Sequence, residues 1–279
     1  MVISTIKNQI EFVLSKFPSI FIKILDLKGN PNLEKNLYLK LIKNSDCVFD
    51  IGANVGYYTL LFSHLTGNTG EIHAFEAVPP TYEILKKNIA NKAKYKNHYL
   101  NNYAVNDNEL SGQIEMNVPE DDFGQASLLQ QDSGSWKNAK KITKYQCQSI
   151  TLDSYLNQLT SQGKDLQKLN FIKCDVEGAE LLVLKGGKKT IGTYSPIIFV
   201  EVCHDWTRKF NYQPDEIIDF LKEFGYSHFY LVDRNIRKIL NKHDVSEDSL
   251  KSSSNMLCLI SNVHQKQITA LRDLQNEDT

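Results

Sequence analysis

A turn that could hold a nucleotide follows the first strongly apolar stretch of the chain. The segment 50–56 reads Asp-Ile-Gly-Ala-Asn-Val-Gly and joins a strand-like run to a helical pattern. Gly52 and Gly56 would let the backbone approach a ligand closely, and Asn54 tolerates the left-handed conformation that glycine otherwise supplies. Turns of this kind, at the carboxyl ends of strands, bind nucleotides in open α/β sheets.

The spacing of this turn differs from the dinucleotide fingerprint G-x-G-x-x-G, because Asn54 replaces the second glycine and Gly56 comes one residue early. That difference argues against a pyrophosphate lying on the helix N-terminus. Asp50 would repel phosphates, but it could accommodate a cationic amino or sulfonium group. Glu76 ends the next strand-like run at the spacing where an acidic side chain meets two ribose hydroxyls. Together these features favour S-adenosylmethionine over NAD as the cofactor.

Three carboxylates further along the chain could serve the transfer chemistry. Asp175 and Glu201 end two strand-like runs, and Glu177 lies two residues beyond Asp175. If the two strands are neighbours in a parallel sheet, these side chains converge on the edge that holds Gly52. They would then bind a hard divalent cation such as Mg²⁺, with Asp175 and Glu201 as ligands, or raise the pKa of one member until it acts as a base. Lys173 shares a strand face with Asp175 and is its predicted ion partner.

His204 follows Glu201 at the same predicted edge, and histidine titrates in the range that suits a general base. We therefore predict His204 as the base, beside Asp175 and Glu177 as the other catalytic residues; an exposed loop histidine is the alternative. For Glu177 and for Glu180 the alternative is charge compensation at a helix N-terminus, which any acidic residue in a first turn provides.

Short apolar runs alternate with helical patterns from Asp46 onward, which predicts an α/β fold with a mostly parallel sheet wrapped by helices. The predicted strands are 47–51, 71–76, 98–105, 170–175 and 197–202. The predicted helices are 57–65, 81–92, 152–159, 179–190 and 214–224. Two last strands, 228–232 and 256–260, have no convincing helix between them and are predicted to be antiparallel neighbours.

An irregular insertion at 106–150 interrupts this alternation. Its apolar stretches 113–118 and 144–150 suggest a hairpin. The segment 120–128 carries acidic residues, an aromatic residue and a glycine, and we interpret it as a lid over cofactor and acceptor; a solvated surface loop is the alternative. The predicted organisation is a helical extension at 1–45, a cofactor-binding domain at 46–262 that includes this insertion, and a polar tail at 263–279.

Composition narrows the class of protein. The 279 residues are 41% hydrophobic and 23% charged, as in an ordinary globular protein, and a net charge of −1 disfavours nucleic acid as a partner. None of the five cysteines forms a C-x-x-C pair, and three of them, Cys47, Cys174 and Cys203, lie in apolar strand-like runs. This placement suggests buried thiols in a reducing compartment, so the cytoplasm is the expected location.

The N-terminal stretch Ile3–Ile24 has apolar residues at steps of three and four, interrupted by charges that do not suit a signal peptide or a membrane span. This pattern predicts an amphipathic helix packed on the domain. Docking on a membrane surface is the open alternative.

Four motifs resemble the FkbM family of methyltransferases: residues 48–59, 74–76, 151–154 and 172–187. The first opens with the turn described above, and the last reads I-K-C-D-V-E-G-A-E before V-L-K-G-G. Departures from the family pattern are Cys174 in place of an aliphatic residue and E-A-V-P at 76–79 in place of E-P-x-P.

This resemblance implies a Rossmann-like class I methyltransferase with a seven-stranded sheet whose last strand is antiparallel. It also implies O-methylation of a hydroxyl on a sugar, a glycan precursor or a natural product. The predicted cofactor-binding residues, which combine the residue pattern with these motifs, are Asp50, Gly52, Asn54, Gly56, Tyr57, Thr59, Glu76 and Asp175. Rival interpretations are an NAD-dependent oxidoreductase or epimerase and a non-catalytic nucleoside-binding module. The sequence leaves a homo-oligomer open.

Overall fold

A buried, mostly parallel β-sheet forms the centre of the structure, which is a computed structural model that describes residues 33–107, 112–119, 122–232, 236–238 and 254–277. The predicted amphipathic helix over Ile3–Ile24 lies outside the described residues. The strands are β1 (Cys47–Ile51), β2 (Glu71–Phe75), β3 (His98–Asn101), β4 (Ala104–Val105), β5 (Gln113–Pro119), β6 (Ile142–Ile150), β7 (Phe171–Cys174), β8 (Ile197–Val202), β9 (His228–Val232), β10 (Ile236–Lys238) and β11 (Ser254–Leu259).

Helices cover both faces of this sheet, as the alternation predicts. They are α1 (Leu33–Leu41), α2 (Tyr57–Thr66), α3 (Pro79–Lys92), α4 (Leu152–Ser161), α5 (Glu180–Lys185), α6 (Lys188–Tyr194), α7 (His204–Thr207), α8 (Pro214–Lys222) and α9 (Gln265–Glu277). Among the described residues, none of the helices is both long and apolar enough to cross a membrane.

The main sheet has the strand order β10-β9-β11-β8-β7-β1-β2-β3. Strands β3, β2, β1, β7 and β8 are parallel, whereas β11 runs antiparallel to both β8 and β9. The predicted class I sheet of seven strands with the last one antiparallel is therefore confirmed, and the short β10 extends it at one edge. The strand order reverses between β1 and β7, and open α/β sheets place their ligand sites at such a reversal.

Two predicted elements are divided. The predicted strand 98–105 is wrong as one strand, because β4 leaves the main sheet and pairs with Ser149 and Ile150 of β6. The predicted helix 179–190 breaks into α5 and α6 at Gly186 and Gly187. A Cβ on Gly186 would lie 2.0 Å from the carbonyl oxygen of Asn106, so the backbone of the insertion packs directly against this break.

The predicted hairpin in the insertion is present. Strands β5 and β6 pair antiparallel over seven residues each, from Gln113 opposite Gln148 to Pro119 opposite Ile142. With β4 they form a second, three-stranded sheet beyond the carboxyl ends of β1 and β2. This small sheet carries the segment 122–138 towards the main sheet.

Helix α1 packs on the main sheet through Tyr38, whose side chain is fully buried. Its ring makes edge contacts, with centroid distances of 5.0 to 5.8 Å, to the rings of Tyr58, Phe62, Phe171 and Phe199. The Tyr38 hydroxyl donates to Glu34 Oε1 at 2.6 Å. The helix is therefore part of the core of the domain.

Replacing Tyr38 with alanine should lower the free energy of unfolding by about 3–5 kcal/mol, because the substitution opens a cavity among four aromatic rings. The control Tyr38→Phe keeps the ring and removes only the hydroxyl bonded to Glu34, so it should cost about 1 kcal/mol. Urea unfolding followed by circular dichroism measures both values. An alanine variant as stable as the phenylalanine variant would show that α1 does not pack as described.

Candidate functional site

The turn after β1 adopts the left-handed conformations that its sequence predicts. The φ angles are +80° at Gly52, +48° at Asn54 and +90° at Gly56. A Cβ on Gly52 would lie 1.8 Å from the carbonyl oxygen of Asp175, and one on Gly56 would lie 2.6 Å from Leu85 of α3. Gly52 requires glycine because a backbone carbonyl already occupies the space of a side chain, whereas Gly56 favours glycine through its positive φ.

Glu76 stands at the end of β2 with its carboxylate held by two backbone donors. The amide of Asn54 donates to Oε2 and the amide of Val78 donates to Oε1, each at 2.9 Å. Burial raises the pKa of Glu76 to about 7, although the two amide bonds lower it. The side chain is therefore fixed in place, and each oxygen keeps a lone pair for a ligand hydroxyl.

A cavity lies between the ends of β1, β2 and β7 and the inserted hairpin; with the solvent at its mouth it has a volume of about 580 Å³. Three acidic side chains line it, and the described residues of its lining include no lysine or arginine. The lining residues are Ile51, Gly52, Asn54, Phe75, Glu76, Ala77, Tyr103, Ala104, Val105, Met116, Gly124, Ala126, Leu128, Asp175, Val176, Glu177 and Ala179.

The three carboxylates predicted at the acceptor edge do come together. Strands β7 and β8 are neighbours, and one carboxylate oxygen from each of Asp175, Glu177 and Glu201 lies within 4.8 Å of the other two. Burial and the nearby charges of Glu201, Asp175 and Glu180 raise the pKa of Glu177 well above its usual range. We call Asp175, Glu177 and Glu201 the acidic rim.

Glu177 occupies a left-handed conformation, with φ +58°, that costs a non-glycine residue of order 1 kcal/mol. Neighbouring groups hold it there. Glu180 Oε1 accepts the amides of Val176 and Gly178, on either side of Glu177, at 3.0 and 3.1 Å. The hydroxyl of Ser127 donates to the Glu177 carbonyl at 2.8 Å. Glu180 therefore positions the rim and does not line the cavity. Burial raises the pKa of Glu180 to about 7.

A buried ion pair supports the rim from behind. Lys173 Nζ donates to Asp175 Oδ2 at 2.8 Å, as predicted, and Lys173 faces Asp50 in the pairing of β7 with β1. Thr59 donates to Asp50 Oδ2 at 2.6 Å. Burial alone lowers the pKa of Lys173, but the carboxylates of Asp175 and Asp50 outweigh it, so the net shift is upward. Lys173 therefore stays charged in the core.

The structure separates the predicted site residues into two groups. Gly52, Asn54, Glu76, Asp175 and Glu177 line the cavity, and Glu201 joins them at the rim.

The other predicted residues lie behind or beside the cavity and are not among its lining residues. Asp50 and Thr59 are fully buried beneath the turn, and the Tyr57 ring lies 4.5 Å from Lys35 Nζ. His204 is the first residue of α7, where the chain turns away from the end of β8. The roles predicted for these residues, and for Gly56, stay predictions.

The insertion supplies lining residues that the sequence did not reveal. Met116 of β5 lines the cavity from the insertion, and Tyr103 and Val105 line it from the segment just before the insertion. Gly124, Ala126 and Leu128 of the segment 120–128 line it as well, and the lid role of this segment stays a prediction. Residues 120 and 121 lie outside the described part of the chain. The apolar stretches of the predicted hairpin gave no indication of what the hairpin covers, whereas the pairing of β4 with β6 shows it.

The sequence profile of the FkbM methyltransferase domain matches residues 50–227, more than half of the chain. The chain belongs to the FkbM methyltransferase family. It is accordingly an S-adenosylmethionine-dependent methyltransferase, and an NAD-dependent oxidoreductase does not agree with this family. No curated protein matches the sequence significantly.

Solved structures with a similar fold include other methyltransferases. An FkbM methyltransferase from Methylobacillus flagellatus is 12% identical, with a TM-score of 0.43 over 91% of this chain and 60% of that chain. Precorrin-6y C5,15-methyltransferase from Geobacter metallireducens is 11% identical, with a TM-score of 0.44 over 82% and 89%. An S-adenosylmethionine-dependent O-methyltransferase from Thermotoga maritima is 10% identical, with a TM-score of 0.42 over 81% and 63%. The family assignment rests on the sequence match.

In this FkbM methyltransferase, Gly52→Ala should abolish cofactor binding and cost several kcal/mol of stability, because the new Cβ would overlap the Asp175 carbonyl. Gly225→Ala is the matched control: Gly225 has a similar φ of +86°, with nothing within 4 Å of an added Cβ. The control should cost only the backbone strain, about 1–2 kcal/mol. Urea unfolding and calorimetry with S-adenosylhomocysteine measure both effects, and equal losses in the two variants would contradict the contact.

Proposed function

We propose that this enzyme transfers a methyl group from S-adenosylmethionine to a hydroxyl of a sugar, a glycan precursor or a natural product. The observation that carries the proposal is the acidic rim, whose three carboxylates meet at the cavity beside Gly52. A hydroxyl is a weak nucleophile until its proton is drawn away, so a base beside the acceptor is needed.

The cavity fits a nucleoside cofactor without phosphates. Glu76 offers carboxylate oxygens for a ribose diol, and the backbone at Gly52, which has no side chain, permits close approach of the cofactor. The largely apolar side chains of Tyr103, Met116 and Leu128 suit the nucleobase of the cofactor. A lining with acidic residues and no lysine or arginine in its described part suits a positively charged sulfonium. The cofactor, when bound, supplies an electrophilic methyl group on sulfur.

Glu177 is the proposed general base. It lines the cavity, and burial beside Glu201 and Asp175 raises its pKa, which makes its carboxylate a stronger proton acceptor. The Glu177 carboxylate would take the proton of the acceptor hydroxyl as the new carbon–oxygen bond forms and the methyl carbon–sulfur bond breaks, which leaves the cofactor as a neutral thioether. Asp175, held by Lys173, orients the acceptor through a second hydrogen bond. His204 is the less favoured base because it is not among the cavity lining residues.

A divalent cation is the alternative use of the same rim. Asp175 and Glu201 could bind Mg²⁺ through oxygen, with Glu177 as a third ligand, and the ion would then lower the pKa of the acceptor hydroxyl. Removing divalent cations with a chelator should abolish activity in this mechanism and leave it unchanged if Glu177 is the base.

We propose a small-molecule or glycan acceptor rather than nucleic acid, because the chain has a net charge of −1. All five cysteines are free and buried, which agrees with a cytoplasmic location. We also propose a homo-oligomer, and the oligomeric state can be measured in solution.

The affinity for S-adenosylhomocysteine should depend on the ionisation of Glu76. Only the carboxylate can accept from both ribose hydroxyls, and its pKa is about 7. Lowering the pH from 8 to 6 should therefore weaken binding by about tenfold. Glu76→Gln should bind more weakly at pH 8 and lose this part of the pH dependence, whereas the surface variant Glu83→Gln should behave as wild type. Calorimetry across this range is the measurement; undiminished binding by Glu76→Gln at pH 8 would contradict the proposal.

Glu177→Gln should lower kcat/KM by about 10²- to 10⁴-fold and leave the affinity for S-adenosylhomocysteine within a few-fold of wild type. The wild-type rate should rise with pH as Glu177 ionises, and the variant should lack this rise. Formation of S-adenosylhomocysteine with a panel of hydroxylated acceptors reports the rate.

Glu223→Gln, at an exposed end of α8, is the matched control and should keep both the rate and its pH profile. If chelation abolishes activity and Mg²⁺ restores it, a divalent cation at the acidic rim, rather than Glu177 as base, activates the acceptor. A rate unaffected by Glu177→Gln would refute the assigned base.

A further inference from the structure

A second group of ligand-type side chains lies at the opposite end of the strands from the cavity. Cys47 begins β1, and Glu71 and His73 belong to the start of β2. Cys47 is paired with Glu71 across the two strands, and side chains two residues apart share a face, so all three project from the same side of the sheet. One ligand atom from each residue lies within 4.8 Å of the other two.

One distance within this group agrees with the geometry of a zinc site, and the others are within 4.8 Å. His73 Nε2 lies 3.3 Å from Glu71 Oε2, and two ligands at about 2.0–2.1 Å in tetrahedral geometry would be about 3.3 Å apart. The other ring nitrogen, Nδ1, is 2.7 Å from the Tyr155 hydroxyl. A partner of this kind fixes the ring of a metal-binding histidine and aims Nε2 at the ion.

The backbone is anchored at Cys47, and one side of the group is open. The Cys47 amide donates to Asn170 Oδ1 at 2.9 Å, so the backbone of Cys47 is fixed. The Glu71 side chain is about half exposed, which leaves one side of the group open to solvent.

We propose that Cys47, Glu71 and His73 form a Zn²⁺ site with water as the fourth ligand. Sulfur, imidazole nitrogen and carboxylate oxygen are together a donor set that zinc accepts, whereas the acidic rim offers oxygen alone. As the sulfur–zinc bond forms, the thiol releases its proton to solvent. The ion would join β1 to β2 at the end of the strands away from the cofactor, so it would act independently of methyl transfer.

Titration of the full-length protein with Co²⁺, followed by displacement with Zn²⁺, tests this site. We expect one equivalent of Co²⁺ to produce thiolate-to-metal charge-transfer absorption, which Zn²⁺ abolishes. Cys47→Ser should lack the absorption, whereas Cys147→Ser, which removes a buried thiol of the hairpin, should keep it. Asp175→Asn should also keep it, which separates this site from any cation at the acidic rim.

Two further variants keep the test decisive if Cys47→Ser does not fold. Tyr155→Phe retains the ring and removes only the partner of Nδ1, so its Zn²⁺ affinity should fall by about 10- to 100-fold. Zn²⁺ should raise the thermal unfolding temperature of the wild type but not that of Glu71→Gln. Absence of the thiolate band in the wild type, or its persistence in folded Cys47→Ser, would overturn the proposal, as would Tyr155→Phe binding Zn²⁺ as tightly as the wild type.

Discussion

The close contact between the turn after β1 and the end of β7 is the constraint on which the site depends. The amides of Gly52 and Ala53 both donate to the Phe75 carbonyl of β2, and the Asp175 amide donates to the Ile51 carbonyl of β1. Three strand ends are thereby fixed to one another where the strand order reverses. A side chain at position 52 would force them apart, since the Asp175 carbonyl already fills that space. Glu76 on one side and the acidic rim on the other keep their separation because this contact is rigid.

Buried charge is the second organising feature, and it is only partly balanced. Lys173 offsets Asp50 and Asp175 inside the core, where an unpaired charge would cost several kcal/mol. For Glu177, Lys173 is the last and smallest of the groups that shift its pKa. For Glu180, no cation is among the groups that shift its pKa most. Active sites commonly contain buried carboxylates of this kind, because a raised pKa makes a carboxylate a better proton acceptor.

Sequence patterns predicted the parts of the structure that depend on neighbouring residues. The glycine turn, Glu76 and the ends of β7 and β8 follow from the alternation of strands and helices, because parallel strands place their carboxyl ends on one edge. The inward position of Asp50 was missed: a residue within a strand buried on both faces has no solvent side, so its carboxylate meets Thr59 and Lys173 instead. His204 begins α7 and is not among the cavity lining residues, and its role stays a prediction. The cavity wall from the insertion depends on the long-range pairing of β4 with β6, which no local pattern encodes.

The hydrogen bond from Ser127 to the Glu177 carbonyl links the covering segment to the peptide that presents a rim carboxylate. Glu180 holds the two peptides around Glu177 from the other side, so the left-handed backbone is supported both from its own loop and from the insertion. Ser127 is not among the cavity lining residues, so removing its hydroxyl would reach a rim carboxylate through the main chain alone.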